Sequence, residues 1–166
     1  MAFSPERLAA RLLTERDKNL EFFRAISDGD WTLHVHGDEG NWTVQHILIH
    51  ITEAEGSVLR LIQHIIKGGG GVPEDFDLDR YNARKVGELV GSAPAELLDT
   101  YSKRRQITAD YVRALSADQL LVKGRHPFLG IAQIEDIIKL MYRHVQLHQR
   151  DIRKKIKLND PTYGQT

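Results

Sequence analysis

The feature that most constrains this chain is the spacing of its apolar residues. Val44, Ile47, Ile51, Ala54, Val58, Leu61 and Ile65 recur at three- and four-residue intervals. Ile134, Ile137, Ile138, Met141, Val145, Ile152 and Ile156 do the same near the other end. That period gathers apolar side chains on one face of an α-helix, and such a face must be buried against something. Two further segments read the same way. Ser4 can cap a helix with Pro5 at its first position, and Leu8, Leu12, Phe23 and Ile26 form its stripe until Ser27, Asp28, Gly29 and Asp30 end it. Residues 92–96 start another, with Ser92 as the candidate cap. It continues through Leu97, Leu98, Tyr101, Ile107 or Thr108, Tyr111, Val112 and Leu115. The long helices, of about 22–27 residues, are roughly 33–40 Å long. Four rods with one apolar face each satisfy one another as an all-α four-helix bundle. Short helices are expected around 78–90 and after Ser116, which forms a capping-box pattern with Gln119. With 166 residues the chain is long enough for one domain, taken as 1–166.

The connections carry weaker signals. Trp31, Leu33 and Val35 alternate with Thr32, His34 and His36, a run too short to found a sheet, so 31–40 is expected to be an ordered loop. Residues 121–130 also read as loop. Glycines 68–71 follow a helix instead of a strand and lack a Gly-Lys-Ser/Thr continuation, which excludes a phosphate loop and leaves a mobile connection as the expectation. Lysine and arginine number 23, matched by 23 acidic residues, so there is no basic surplus to argue for a nucleic-acid partner. The chain has no cysteine, which removes disulfides, thiolate metal sites and a protein thiol nucleophile. No apolar run reaches 18 residues and the first residues lack a signal-peptide core, so no membrane association and a cytoplasmic location are expected.

Four of the eight histidines form i, i+4 pairs: His46 with His50, and His144 with His148. Such a pair leaves a helix on nearly the same side, and its two imidazoles can reach one metal ion. Neither segment has the glutamate of a zincin helix, and the Glu-x-x-His pattern of carboxylate di-iron bundles is absent. His144 and His148 continue the stripe 134, 137, 141 toward 152, where the period calls for Leu or Ile. Unpaired ring nitrogens there would cost about 1–3 kcal/mol each. Either a shared metal or hydrogen-bonded core imidazoles would meet that demand. His50 sits at the edge of its stripe. His46, third in its helix if Thr43 is the N-cap, is expected to be solvated near the helix end. His34, His36, His64 and His126 are expected at the surface. Glu53, Glu55 and Gln146 are within reach of the pairs by spacing.

These residues resemble a known family. The segment 41–55, with Trp42 and then His50 eight positions on, is similar to the helix-two signature of the DinB/YfiT-like superfamily. His144, His148, Ile152 and Arg153 resemble its closing His-x-x-x-His-x-x-x-Ile-Arg motif, and 76–86 its Asp-Leu-Asp-x-Tyr/Trp-Asn stretch. The resemblance spans helix two to the last helix. It implies an up-down-down-up four-helix bundle, often a homodimer, with a divalent metal on His50, His144 and His148. Zinc or nickel comes first and iron next. It further implies thiol S-transfer to small electrophiles with a bacillithiol- or mycothiol-like thiol. A metal-dependent hydrolase and a non-catalytic metal-binding stress-response dimer are the alternatives. Tyr81 and Asn82 are implied near the pocket. The chain departs from the pattern at His46, where relatives often carry Glu.

Overall fold

The computed structural model describes residues 4–35 and 42–160. Ser4 accepts a hydrogen bond from the Arg7 N–H and Pro5 opens α1 (Pro5–Arg24). Thr43 caps α2 (Val44–Ile66), and Asp77 caps α3 (Leu78–Glu88) through the Arg80 N–H. The fourth helix, α4 (Pro94–Arg113), starts differently from expectation. Ala93 is its N-cap and makes no side-chain bond. Proline at the first position holds the preceding residue extended, which sets the helix start without a polar cap. Ser92 instead offers its carbonyl to the Gln45 side chain at 2.8 Å. The Ser116/Gln119 capping box opens α5 (Ala117–Leu121), and α6 (Ile134–Asn159) closes the fold.

The side-chain pairs fix the topology. Arg16 meets Gln106 and Asn19 meets Tyr101, so α1 and α4 are antiparallel. Gln45 meets Ser92 and Glu55 meets Arg105, so α2 and α4 run parallel. Glu15 meets Gln146 and Asn19 meets Gln149, so α1 and α6 run parallel. Ile62 and Ile65 share a core cluster with Ile134 and Ile137, whereas Ile47 and Ile51 share one with Val145 and Ile152. Helices α2 and α6 are therefore antiparallel. The result is the expected up-down-down-up bundle, with α1 diagonal to α2 and α4 diagonal to α6.

Two connections expected as loops are hairpins. β1 (His34–Val35) pairs antiparallel with β2 (Trp42–Thr43), leading directly into α2. β3 (Lys123–His126) pairs with β4 (Gly130–Gln133), leading into α6. The alternation expected around His36 falls partly outside the described residues. Gly124 lets β3 lie against α2, since a Cβ there would come 2.5 Å from Ile65.

The glycine run is likewise not a free connection. The Arg125 N–H donates to the Gly70 carbonyl at 2.9 Å, and Val72 N–H donates to the Arg125 carbonyl at 3.0 Å. Gly71 has φ +98°, and a Cβ on it would lie 2.3 Å from the Arg125 carbonyl oxygen. Glycine is required there both for the left-handed backbone and for the close approach. The run is thus an edge segment stitched to β3, an arrangement created by contacts with Arg125, far along the sequence, that local composition does not reveal.

Candidate metal centre

His50 lies on α2 and His144 and His148 on α6, and the antiparallel packing brings the three rings together. His144 Nε2 is 3.0 Å from His50 Nε2 and 2.9 Å from His148 Nε2. One ligand nitrogen from each residue lies within 4.8 Å of the others. Their rings meet edge to face, with centroids 4.5–5.3 Å apart. The Trp42 ring stands 5.2 Å from that of His50.

This close set is awkward for protons alone. A neutral imidazole nitrogen carries one proton or offers one lone pair, so His144 Nε2 cannot make two full hydrogen bonds at once. One cation about 2.0–2.1 Å from each nitrogen would take all three lone pairs. The residues therefore fit a divalent metal ion by their chemistry and by their convergence.

Burial inverts the expected roles of the pairs. His50, expected at the edge of its stripe, is 4% exposed. His144 and His148, expected in the apolar seam, are half-buried, and the buried row of α6 runs through Met141, Val145, Gln149 and Ile152. The period allows either row. The cavity between α2 and α6 leaves the 144/148 side without a facing helix surface, so the core takes the other.

That cavity has a volume of about 720 Å³. All three histidines line it, with apolar walls from residues such as Ile51, Val58, Phe76, Ile137 and Met141. Tyr81 and Asn82 line it too, as the resemblance implied. The Tyr81 hydroxyl is 2.8 Å from that of Ser57, which also accepts from Arg60.

The carboxylates and amide suggested by spacing all have partners outside the cluster, although Glu55 also lines the cavity and its Oε1 makes no hydrogen bond among the described residues. Glu53 pairs with Arg104 at 2.6 Å, Glu55 with Arg105 at 2.7 Å, and Gln146 donates to Glu15. His46 is not in the cluster. Its Nδ1 accepts from the Thr43 N–H while its own N–H donates to Thr43 Oγ1, both at 3.2 Å. An imidazole thus does the work that Glu or Gln does in the usual capping box. His34 and His64 are exposed as expected, and His36 lies outside the described residues.

His126 is the clear miss. It is 5% exposed, not a surface residue, and it lines the cavity beside the three histidines. Its Nδ1 accepts from the backbone N–H groups of Phe128 and Leu129 at 3.1 and 3.3 Å. Burial, with a smaller contribution from His144, pushes its pKa down to about 4. The one signal available in sequence was the His-Pro-Phe-Leu-Gly turn itself, whose position over the cavity depends on the hairpin.

With this geometry in place, the sequence pattern of the DinB superfamily matches residues 11–152. The chain belongs to the DinB superfamily. The fold is similar to that of YfiT from Bacillus subtilis, described as a probable metal-dependent hydrolase with an unusual four-helix bundle topology. That match has a TM-score of 0.73 at 16% identity, covering 90% of this chain and 84% of YfiT. It is also similar to a variant of the mycothiol-dependent maleylpyruvate isomerase, with a TM-score of 0.66 at 13% identity. There it covers 89% of this chain and 59% of the isomerase, so this DinB-superfamily chain spans little more than half of that protein. No curated protein sequence matches it. Among the described residues, no helix is long and apolar enough to cross a membrane.

Proposed function

We propose that this protein is a metal-dependent enzyme that transfers an exogenous small thiol, of the bacillithiol or mycothiol kind, to small electrophiles. His50, His144 and His148 would hold a divalent ion, zinc or nickel first. The observation that carries this reading is the meeting of three imidazole nitrogens in the wall of a large, mainly apolar cavity. A divalent ion bound there supplies Lewis acidity, which favours the thiolate form of a thiol that reaches it. The chain supplies the rest. Its apolar walls hold the electrophile and exclude water, and its lack of cysteine means the thiol comes from outside. The mycothiol dependence of the isomerase supports a thiol co-substrate. The description of YfiT favours a second reading, hydrolysis.

The test pairs metal analysis with turnover. The protein is expected to bind about one Zn2+ or Ni2+ per chain and His148→Ala to lose it; equal metal content in both would overturn the site. With a chlorinated aromatic or an epoxide, the loaded protein is expected to consume added thiol. Product without thiol would establish the hydrolase instead. Metal binding with no turnover across a broad panel would leave a metal-binding module.

A further inference from the structure

The cavity holds a polar group that the metal site does not use. His126 closes the β3–β4 turn with Nδ1, which accepts two backbone N–H groups and therefore carries no proton. The ring proton is left on Nε2. Among the described residues that atom has no hydrogen-bond partner, although the residue is 5% exposed and lines the cavity. A second cavity residue is in the same condition: Asn82 is 8% exposed, and its side-chain amide makes no hydrogen bond among the described residues. Neither atom is sealed off, since the side-chain atoms both buried and unpartnered among the described residues are Glu55 Oε1 and Arg105 Nε and Nη1; the polar atoms of His126 and Asn82 open instead onto the cavity their residues line, where a molecule occupying it can meet them.

We propose that His126 is a ligand-orienting residue, a fixed neutral Nε2–H donor that selects molecules carrying an acceptor oxygen on an apolar body. Carbonyl and nitro compounds are of this class. The inference rests on the cavity being the place where a small molecule reacts, and it narrows the electrophile. His126 is a donor and not a proton shuttle, because the turn occupies the nitrogen that a shuttle would need to free. The fold invests in its placement: Gly71 and Gly124 admit the close packing of β3 that carries the residue inward.

The test uses metal-free protein and two probes of nearly equal shape, acetophenone and α-methylstyrene, which differ by an oxygen in place of a methylene. Ligand-observed NMR is expected to show the wild type preferring acetophenone by about fivefold, the size of one hydrogen bond. Two variants separate the two ring nitrogens. His126→Asn keeps an acceptor near the Nδ1 position but is too short to reach the Nε2 position, and it should lose the preference. His126→Gln places a donor near Nε2 and should keep it. The reverse pattern, or no preference in the wild type, would overturn the proposal. Nitrogen-15 NMR of the wild type gives a reading that needs no variant. His126 is expected as the Nε2–H tautomer from pH 6 to 8, and a proton on Nδ1 would overturn the assignment. Oxygen selectivity without thiol consumption would sink the transferase reading while leaving this one standing.

Discussion

The α1–α4 seam and the α2–α6 seam use their polar residues in opposite ways. Along α1–α4 the polar groups point at each other. Asn19 donates to Tyr101 at 2.7 Å and accepts from Gln149 at 2.7 Å, and Arg16 donates to Gln106 at 2.8 Å. Arg105, fully buried, stacks over Tyr101 and pairs with Glu55 on α2. Burial works against its charge, but Glu55 and then Tyr101 outweigh that and hold the guanidinium charged. Along α2–α6 the polar groups point instead into a cavity. His50, His144, His148 and His126 all face space that a ligand can occupy. The difference teaches that a buried polar residue in a bundle is read by where its partner lies. A partner on the next helix makes a structural group, and an empty neighbouring volume makes a candidate functional one.

The largest effect that would sharpen this contrast comes from the closed seam. Arg105→Met strands the Glu55 carboxylate, whose Oε1 already has no partner among the described residues, and is expected to lower stability by about 3–5 kcal/mol in urea unfolding. Adding Glu55→Gln should recover much of that loss. Metal content should stay at the wild-type level in whatever fraction remains folded. A variant that folds but loses metal would break the distinction between the seams.

The open seam should show itself in acid. His126 titrates near 4 in the fold but near 6.5 when unfolded, so between these values the unfolded chain binds more protons. Stability is therefore expected to fall as pH drops from 6.5 toward 4, by up to about 3 kcal/mol from this residue. The slope in that window, measured by urea unfolding of metal-free protein, should flatten in His126→Asn. An unchanged slope would mean that the ring is solvated.

The smallest effect concerns the strap beneath the hairpin. Gly71→Ala forces a side chain into a left-handed backbone against Arg125 and should lower the melting stability by about 1–3 kcal/mol. Hydrogen exchange should rise at Arg125 and Val72 while α1 and α4 keep their protection. Uniform loss of protection would show the hairpin and the closed seam to be one cooperative unit.

What was legible in the sequence follows from local physics. Ser4 with Pro5, Thr43, and Ser116 with Gln119 marked helix starts because a cap acts on backbone groups within three residues. The helical period marked the long rods. The pair His144/His148 was visible because i, i+4 spacing alone places two rings on one side of a helix. The third member, His50, was legible only through resemblance, since nothing local relates it to a segment 94 residues away. Arg105 was missed because a charge in a stripe reads as surface until its partner is known. Thr108 was buried and Ile107 left 59% exposed by a rotation of α4 that the period did not resolve.

The sequence by itself determined the four rods, the caps of α1 and α2 and one histidine pair, because each depends on interactions within a single helical turn or on one amphipathic face. The tertiary structure decided which row of α6 enters the core, that the glycine strap is held against β3, and that His126 turns inward. Those outcomes depend on which surfaces meet across the bundle, and burial is a property of a pair of surfaces that neither stretch of chain carries alone.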